Sequence, residues 1–113
     1  QVETFFDSPI AQRLMAAEDV RREVPFTYAR ADEDGDYQIV QGIVDCLFKE
    51  NGEWVLLDYK TDQTRGMGNV QSVMKERYAI QLSVYQEAVE AILRIPIKER
   101  VLYLFSSNEE VKV

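Results

Sequence analysis

Asp45, Asp58 and Lys60 are the residues whose types and spacing could do chemistry together. Asp45 lies in Gly42-Ile43-Val44-Asp45-Cys46-Leu47-Phe48 and Asp58 in Trp54-Val55-Leu56-Leu57-Asp58-Tyr59-Lys60, and both segments read as strands. Between them, Asn51-Gly52 is the strongest short-range hairpin signal, because both residues tolerate positive φ. A two-residue loop there pairs Glu50 with Glu53 and so sets Asp45 directly opposite Asp58. Opposed side chains of an antiparallel pair have Cβ atoms about 4.5–5.5 Å apart, where like charges destabilise. Two carboxylates held that close in apolar strands call for a cation or a shared proton between them. Lys60, two residues past Asp58, projects from the same face. Two acids and a lysine at one spot suit metal-assisted phosphodiester hydrolysis. The blander alternative is two partly exposed aspartates near strand ends, each salt-bridged separately. Ile43, Val44 and Leu47 around one acid, and Val55, Leu56 and Leu57 around the other, weigh against it, since aspartate is disfavoured in strands and rarely buried unpaired. The same register opposes Glu50 and Glu53, beside the turn where water is expected to screen them.

Other polar groups are less distinctive. Gln81 and Tyr85, four apart, share a helix face and could form a polar clamp reaching the site, or Tyr85 could simply pack in the core. Tyr78, one turn back, reads as core. Glu23 leads into Val24-Pro25-Phe26 and reads as solvated. The acidic run from Asp32 to Asp36 lacks the glycine position and terminal glutamate of a calcium loop, so it reads as a solvated turn. Arg65, Lys75 and Arg77 are the only local positive excess and could meet a phosphate backbone weakly. Cys46, next to Asp45, should face the other way as a small core residue. One cysteine and no histidine exclude a zinc site built on soft ligands, so a metal here must be held by oxygen.

These groups need elements to position them. Ser8-Pro9 marks a helix start with Ile10, Leu14 and Ala17 on one face, and Val2, Phe5 and Phe6 could close an earlier helix. Strands are expected at residues 22–30, 37–48 and 54–60. Residues 61–73 read as a loop containing Gly66 and Gly68. A helix follows over 74–93 with Tyr78, Leu82, Tyr85, Val89 and Ile92 at helical spacing, ended by Ile95-Pro96. A last buried strand covers 101–105. The order α-β-β-β-α-β gives an α/β fold with a mixed central sheet of about four strands flanked by helices. The 113 residues suit a single domain, with no apolar run of about 18 that would span a membrane. An intracellular protein is the default, and a net charge of −7 argues against strong independent binding to nucleic acid.

Gly42-Ile43-Val44-Asp45, Leu57-Asp58-Tyr59-Lys60-Thr61-Asp62 and Gln81-Leu82-Ser83-Val84-Tyr85 resemble, in that order, the G-x-x-D, D-x-K and Q-x-x-x-Y motifs of RecB-type nucleases in the PD-(D/E)XK superfamily. Glu23-Val24-Pro25-Phe26 fits the same pattern, and the likeness runs over residues 3 to 105, most strongly to the nuclease domains of AddAB-type bacterial helicase/nucleases. The resemblance implies a restriction-endonuclease-like core. It implies Mg²⁺, or Mn²⁺, held by Asp45, Asp58 and the backbone carbonyl of Tyr59. Lys60 would orient the attacking water and stabilise charge on the phosphate, while Gln81 and Tyr85 would position the scissile strand or the site's side chains. The implied activity is that of a DNA exonuclease in an ATP-driven helicase/nuclease for double-strand-break repair and recombination. Its partners would be DNA and an AddB-like second subunit, in the bacterial cytoplasm at the nucleoid. ATP would belong to the parent helicase, since no Walker-A sequence occurs here. The family's metal-binding histidine lies on a helix upstream of Gln1. The chain is therefore expected to be a fragment that binds metal weakly and cuts DNA poorly alone. Two rival readings are a non-catalytic module that binds DNA or a partner protein, and a stand-alone RecB-like nuclease. Intact Asp45, Asp58 and Lys60 favour catalysis, and the missing start methionine argues against a stand-alone protein.

Overall fold

The computed structural model describes residues 4–113. Ser8 caps the first helix, α1 (Pro9–Met15), by accepting the Ala11 N–H at 3.2 Å, with Pro9 at the first helical position. Ile10, Ala11 and Leu14 are buried, as their spacing predicts. The expected earlier helix is instead a 3₁₀ turn, Phe5–Asp7, and Val2 lies outside the described residues.

Five strands form one sheet in the order β1-β2-β3-β4-β5: β1 (Asp19–Ala31), β2 (Tyr37–Glu50), β3 (Glu53–Lys60), β4 (Ile97–Leu104) and β5 (Glu109–Lys112). Only the β3–β4 pair is parallel, so the sheet is mixed, with one strand more than the sequence suggests. Asn51 and Gly52 adopt φ of 52° and 81°, the primed-turn geometry, and lock the register Glu50↔Glu53 through Cys46↔Leu57. The acidic turn is built on Asp32, whose Oδ1 accepts the N–H groups of Asp34 and Asp36 at 2.9 Å each. A helix, α2 (Val70–Leu93), carries the chain from β3 to β4. It begins four residues before the expected Met74, because Asn69 caps it by accepting the Ser72 N–H. β4 likewise starts at Ile97 rather than 101, its first N–H held by Glu90 at 2.9 Å.

The helices cover opposite faces. Val55, Leu57, Cys46, Phe48 and Tyr103 pack with Ile10 and Leu14 of α1. Trp54, Leu56, Leu47, Val44 and Leu102 pack with Met74, Leu82 and Val89 of α2. Cys46 is fully buried, as expected, and burial pushes its thiol up to about 11. Ile92, expected on the core face of α2, is 45 % exposed because the helix outruns the sheet there. Among the described residues no helix is long and apolar enough to cross a membrane.

Two irregularities matter. Val44 and Leu47 face the same helix although three apart, so the alternation of β2 slips by one residue at Asp45. Across from it, Glu23 has φ 52° and drops out of the β1–β2 ladder between Arg22↔Cys46 and Val24↔Val44. Glu23 thus lies inside the strand, at its kink, rather than ahead of it. At the other end of β2, the Glu50 carboxylate does not rely on water. Arg13 of α1 bonds both Glu50 and Glu99, at 2.9 and 2.8 Å, and Lys98 reaches Glu50 at 3.0 Å. The hydrogen bond from Arg13, then that from Lys98, lowers Glu50 to about 2.

Arg13→Ala should therefore lower stability at pH 7 by about 1–3 kcal/mol, since it strands two half-buried carboxylates. An acid held below its ordinary value stabilises the fold above that value and loses the contribution as pH falls through the folded one. In urea titrations the gap between wild type and variant should close as pH falls from about 4.5 toward 2. A gap independent of pH would contradict this account.

Candidate active site

The site forms where β2 and β3 part company. Their ladder ends at Cys46↔Leu57, and the next residue of β2, Asp45, turns its side chain into the gap. Asp45 Oδ2 accepts the Tyr59 N–H at 2.8 Å, taking the role of a ladder carbonyl. The N–H and C=O of a strand residue point to the same edge, so the Tyr59 carbonyl is directed toward Asp45 as well. Asp58, the adjoining residue of β3, is only 4 % exposed and lies on the α2 face with Lys60. Its Oδ2 is buried without a hydrogen-bond donor, although Lys60 Nζ stands at ion-pair distance, 2.9 Å, off hydrogen-bond geometry. Burial, reinforced by the Asp45 carboxylate, raises Asp58 to about 6 against the opposing pull of Lys60.

Helix α2 supplies the second wall. Gln81 Oε1 accepts from Lys60 Nζ at 2.9 Å, and Gln81 Nε2 donates to the Tyr85 hydroxyl at 3.3 Å. The Tyr85 ring rests edge-on against Phe26, with centroids 5.3 Å apart. The structure thus brings together Asp45, Asp58, Lys60 and Gln81, while Tyr85 reaches them only through Gln81. Glu23 is exposed on the kinked strand.

Three neighbours escaped the sequence reading as a group. Asp62, two residues past Lys60, accepts from Tyr78 Oη at 2.8 Å and from Arg77 Nη1 at 2.7 Å. Arg77 is therefore committed to an ion pair rather than open to a phosphate. Tyr78, read as core, is only partly buried, and its ring lies 4.3 Å from Lys60 Nζ. The available signal was the pair Arg77-Tyr78, one turn before Gln81 on α2 and facing the segment that follows Lys60.

The donors on offer, two carboxylates and one backbone carbonyl, are all oxygen, which suits a hard divalent cation and not a soft one. The buried, donorless Asp58 Oδ2 is the atom such a cation would satisfy. Among the described residues no cluster of three or more His, Cys, Asp or Glu side chains could hold a metal, so these two carboxylates need the carbonyl and further oxygen ligands.

Comparison with known proteins places this geometry in context. The sequence profile of the PD-(D/E)XK nuclease superfamily matches residues 3–112. The chain is 54 % identical over 113 residues to an ATP-dependent helicase/nuclease subunit of Lysinibacillus sphaericus, a match using 96 % of this chain and 9 % of that protein. It is 39 % identical over 127 residues to the proteins of the same name from Bacillus cereus strain AH187 and Bacillus thuringiensis subsp. konkukian, each match using all of this chain and 10 % of the relative. The chain thus spans about a tenth of the length of these relatives.

A carboxyl group raised on folding favours the fold below its ordinary value and loses that contribution as pH rises through the folded value. Asp58→Asn should therefore stabilise the metal-free protein at pH 7, by on the order of 1 kcal/mol. The advantage should fade as pH falls from about 6 toward 4. Thermal melts in chelator across that range check it; a variant less stable than wild type at pH 7 would refute the burial argument.

Proposed function

The chain belongs to the PD-(D/E)XK nuclease superfamily, and from that premise we propose that it is a Mg²⁺-dependent DNA nuclease domain hydrolysing phosphodiester bonds. The observation that carries the reading is the buried, donorless Asp58 oxygen beside Asp45, with Lys60 at 2.9 Å. Asp45, Asp58 and the Tyr59 carbonyl would hold the cation. Bound there, the metal acidifies water and neutralises charge building on the phosphate.

The chain's own residues do the rest. Lys60, set between Asp58 and Gln81, places a positive charge beside the phosphoryl oxygens as water attacks phosphorus and the P–O bond to the leaving strand breaks. Held in place beforehand, that charge needs no reorganisation during the reaction. Gln81 fixes the ammonium, and Tyr85 fixes Gln81. The net charge of −7 supports delivery of DNA by other parts of a larger assembly rather than capture by this surface. The names of the relatives, each one component of an ATP-dependent helicase/nuclease, support the same setting: an exonuclease in double-strand-break repair and recombination, in the bacterial cytoplasm, with an AddB-like partner. ATP would be used by the motor and not by this chain.

Calorimetry with Mn²⁺ and Mg²⁺, paired with cleavage of linear DNA, separates the roles. Asp45→Ala and Asp58→Ala should abolish metal binding and cleavage together. Lys60→Ala should still bind metal yet cut at least about 10²-fold more slowly. Metal binding that survives in Asp58→Ala, or cleavage unaffected by Lys60→Ala, would sink the proposal.

A further inference from the structure

Lys60 carries its charge on a flexible four-carbon stem, so something must hold the ammonium where it acts. An ammonium has three donors. Asp58 and Gln81 lie on two sides of it. The third is faced by the Tyr78 ring, 4.3 Å away at its centroid. Tyr78 and Gln81 are three apart on α2 and so present to the same place. The ring in turn is tethered by its hydroxyl, which donates to Asp62 at 2.8 Å. Asp62 is itself tied down. Arg77 pairs with its carboxylate and Ser106 donates to its carbonyl, so the segment after β3, the start of α2 and the β4–β5 turn meet on this one residue.

We propose that Tyr78 is a positioning residue whose ring holds the Lys60 ammonium against Asp58 and Gln81, and that Asp62 fixes the attitude of that ring. The inference deepens the nuclease reading and rests on it for the importance of Lys60. A cation over an aromatic face is attracted by the ring's quadrupole, and the attraction grows when water is kept away. Phenylalanine would keep the face and lose only the tether, whereas leucine would remove the face and leave the volume.

Aromatic ring currents give a readout independent of catalysis, because nuclei above a ring resonate upfield. In NMR spectra of the metal-free chain, the Lys60 ε-methylene should lie upfield of the other lysines. Tyr78→Phe should retain most of that shift, and Tyr78→Leu should abolish it. Asp62→Ala should reduce it by letting the ring swing. In single-turnover cleavage with Mn²⁺, Tyr78→Leu should slow the chemical step about tenfold with KM for DNA little changed, and Tyr78→Phe should stay within about twofold of wild type. A Lys60 resonance unmoved by Tyr78→Leu overturns the proposal. So does Tyr78→Phe losing as much as Tyr78→Leu, since the hydroxyl and not the ring would then matter. Should Asp62→Ala fail to fold, the Tyr78 pair alone decides. If wild type and Lys60→Ala cleave alike, the nuclease reading of Lys60 fails, while the resonance still decides what holds its ammonium.

Discussion

Two carboxylates share a gap between strands, and the rest of the site is arranged around that repulsion. The ladder of β2 and β3 could have continued past Cys46↔Leu57 and closed the gap with backbone bonds. Instead β2 slips its alternation at Asp45, and a side-chain oxygen takes the Tyr59 N–H. The buried N–H is satisfied, as it must be, but by a charged acceptor placed next to a second acid. The apolar flanks then remove the water that would have screened them. Only Lys60 offsets the charge from within, and it leaves one oxygen of Asp58 without a donor.

The opposite end of the same hairpin shows what the fold does when a like-charge pair has only to be tolerated. Glu50 and Glu53 are also cross-strand partners. There the backbone stays regular, and Arg13 and Lys98 neutralise Glu50 so fully that it falls to about 2. At Asp58 the balance runs the other way, to about 6, although a lysine is in contact. The difference is burial together with an unanswered neighbour. A structural pair is resolved by internal cations, whereas this pair keeps a deficit of positive charge. A bound cation would make up that deficit.

How much of this was legible in the sequence follows the range of the forces involved. The hairpin register was, because Asn51-Gly52 admits only a narrow turn geometry and every later pair follows from it. The Lys60 face followed from strand alternation, and α1 from Ser8-Pro9. The slip at Asp45 was not, since it depends on the kink at Glu23, a glutamate in a left-handed conformation that no local preference announces. β5 was missed because only Val111 of its four residues is buried, so it carries no alternating pattern. Helix α2 was begun late because its first turn holds no apolar periodicity and rests on the Asn69 cap. Asp62 lies fifteen and sixteen residues from Arg77 and Tyr78 across a loop, and only the folded crossover makes them neighbours.

The three-residue spacing from Gly42 to Asp45 acquires a physical meaning from the same slip. In an unbroken strand, residues three apart face opposite sides. With the alternation shifted at Asp45, the carboxylate joins Gly42 on the side of α2. Gly42 pairs with Phe26, and a Cβ there would come within 2.8 Å of the Phe26 ring and 3.2 Å of the Tyr85 ring. Both rings are already in edge contact, so neither can yield without moving the other. Only glycine lets Tyr85 lie this close to the sheet, with its hydroxyl at Gln81 and Gln81 at Lys60. The glycine thus acts on the lysine through the helix, while the aspartate acts on Asp58 through the strand gap. One short segment of β2 sets both halves of the site, its charge deficit and the cation beside it.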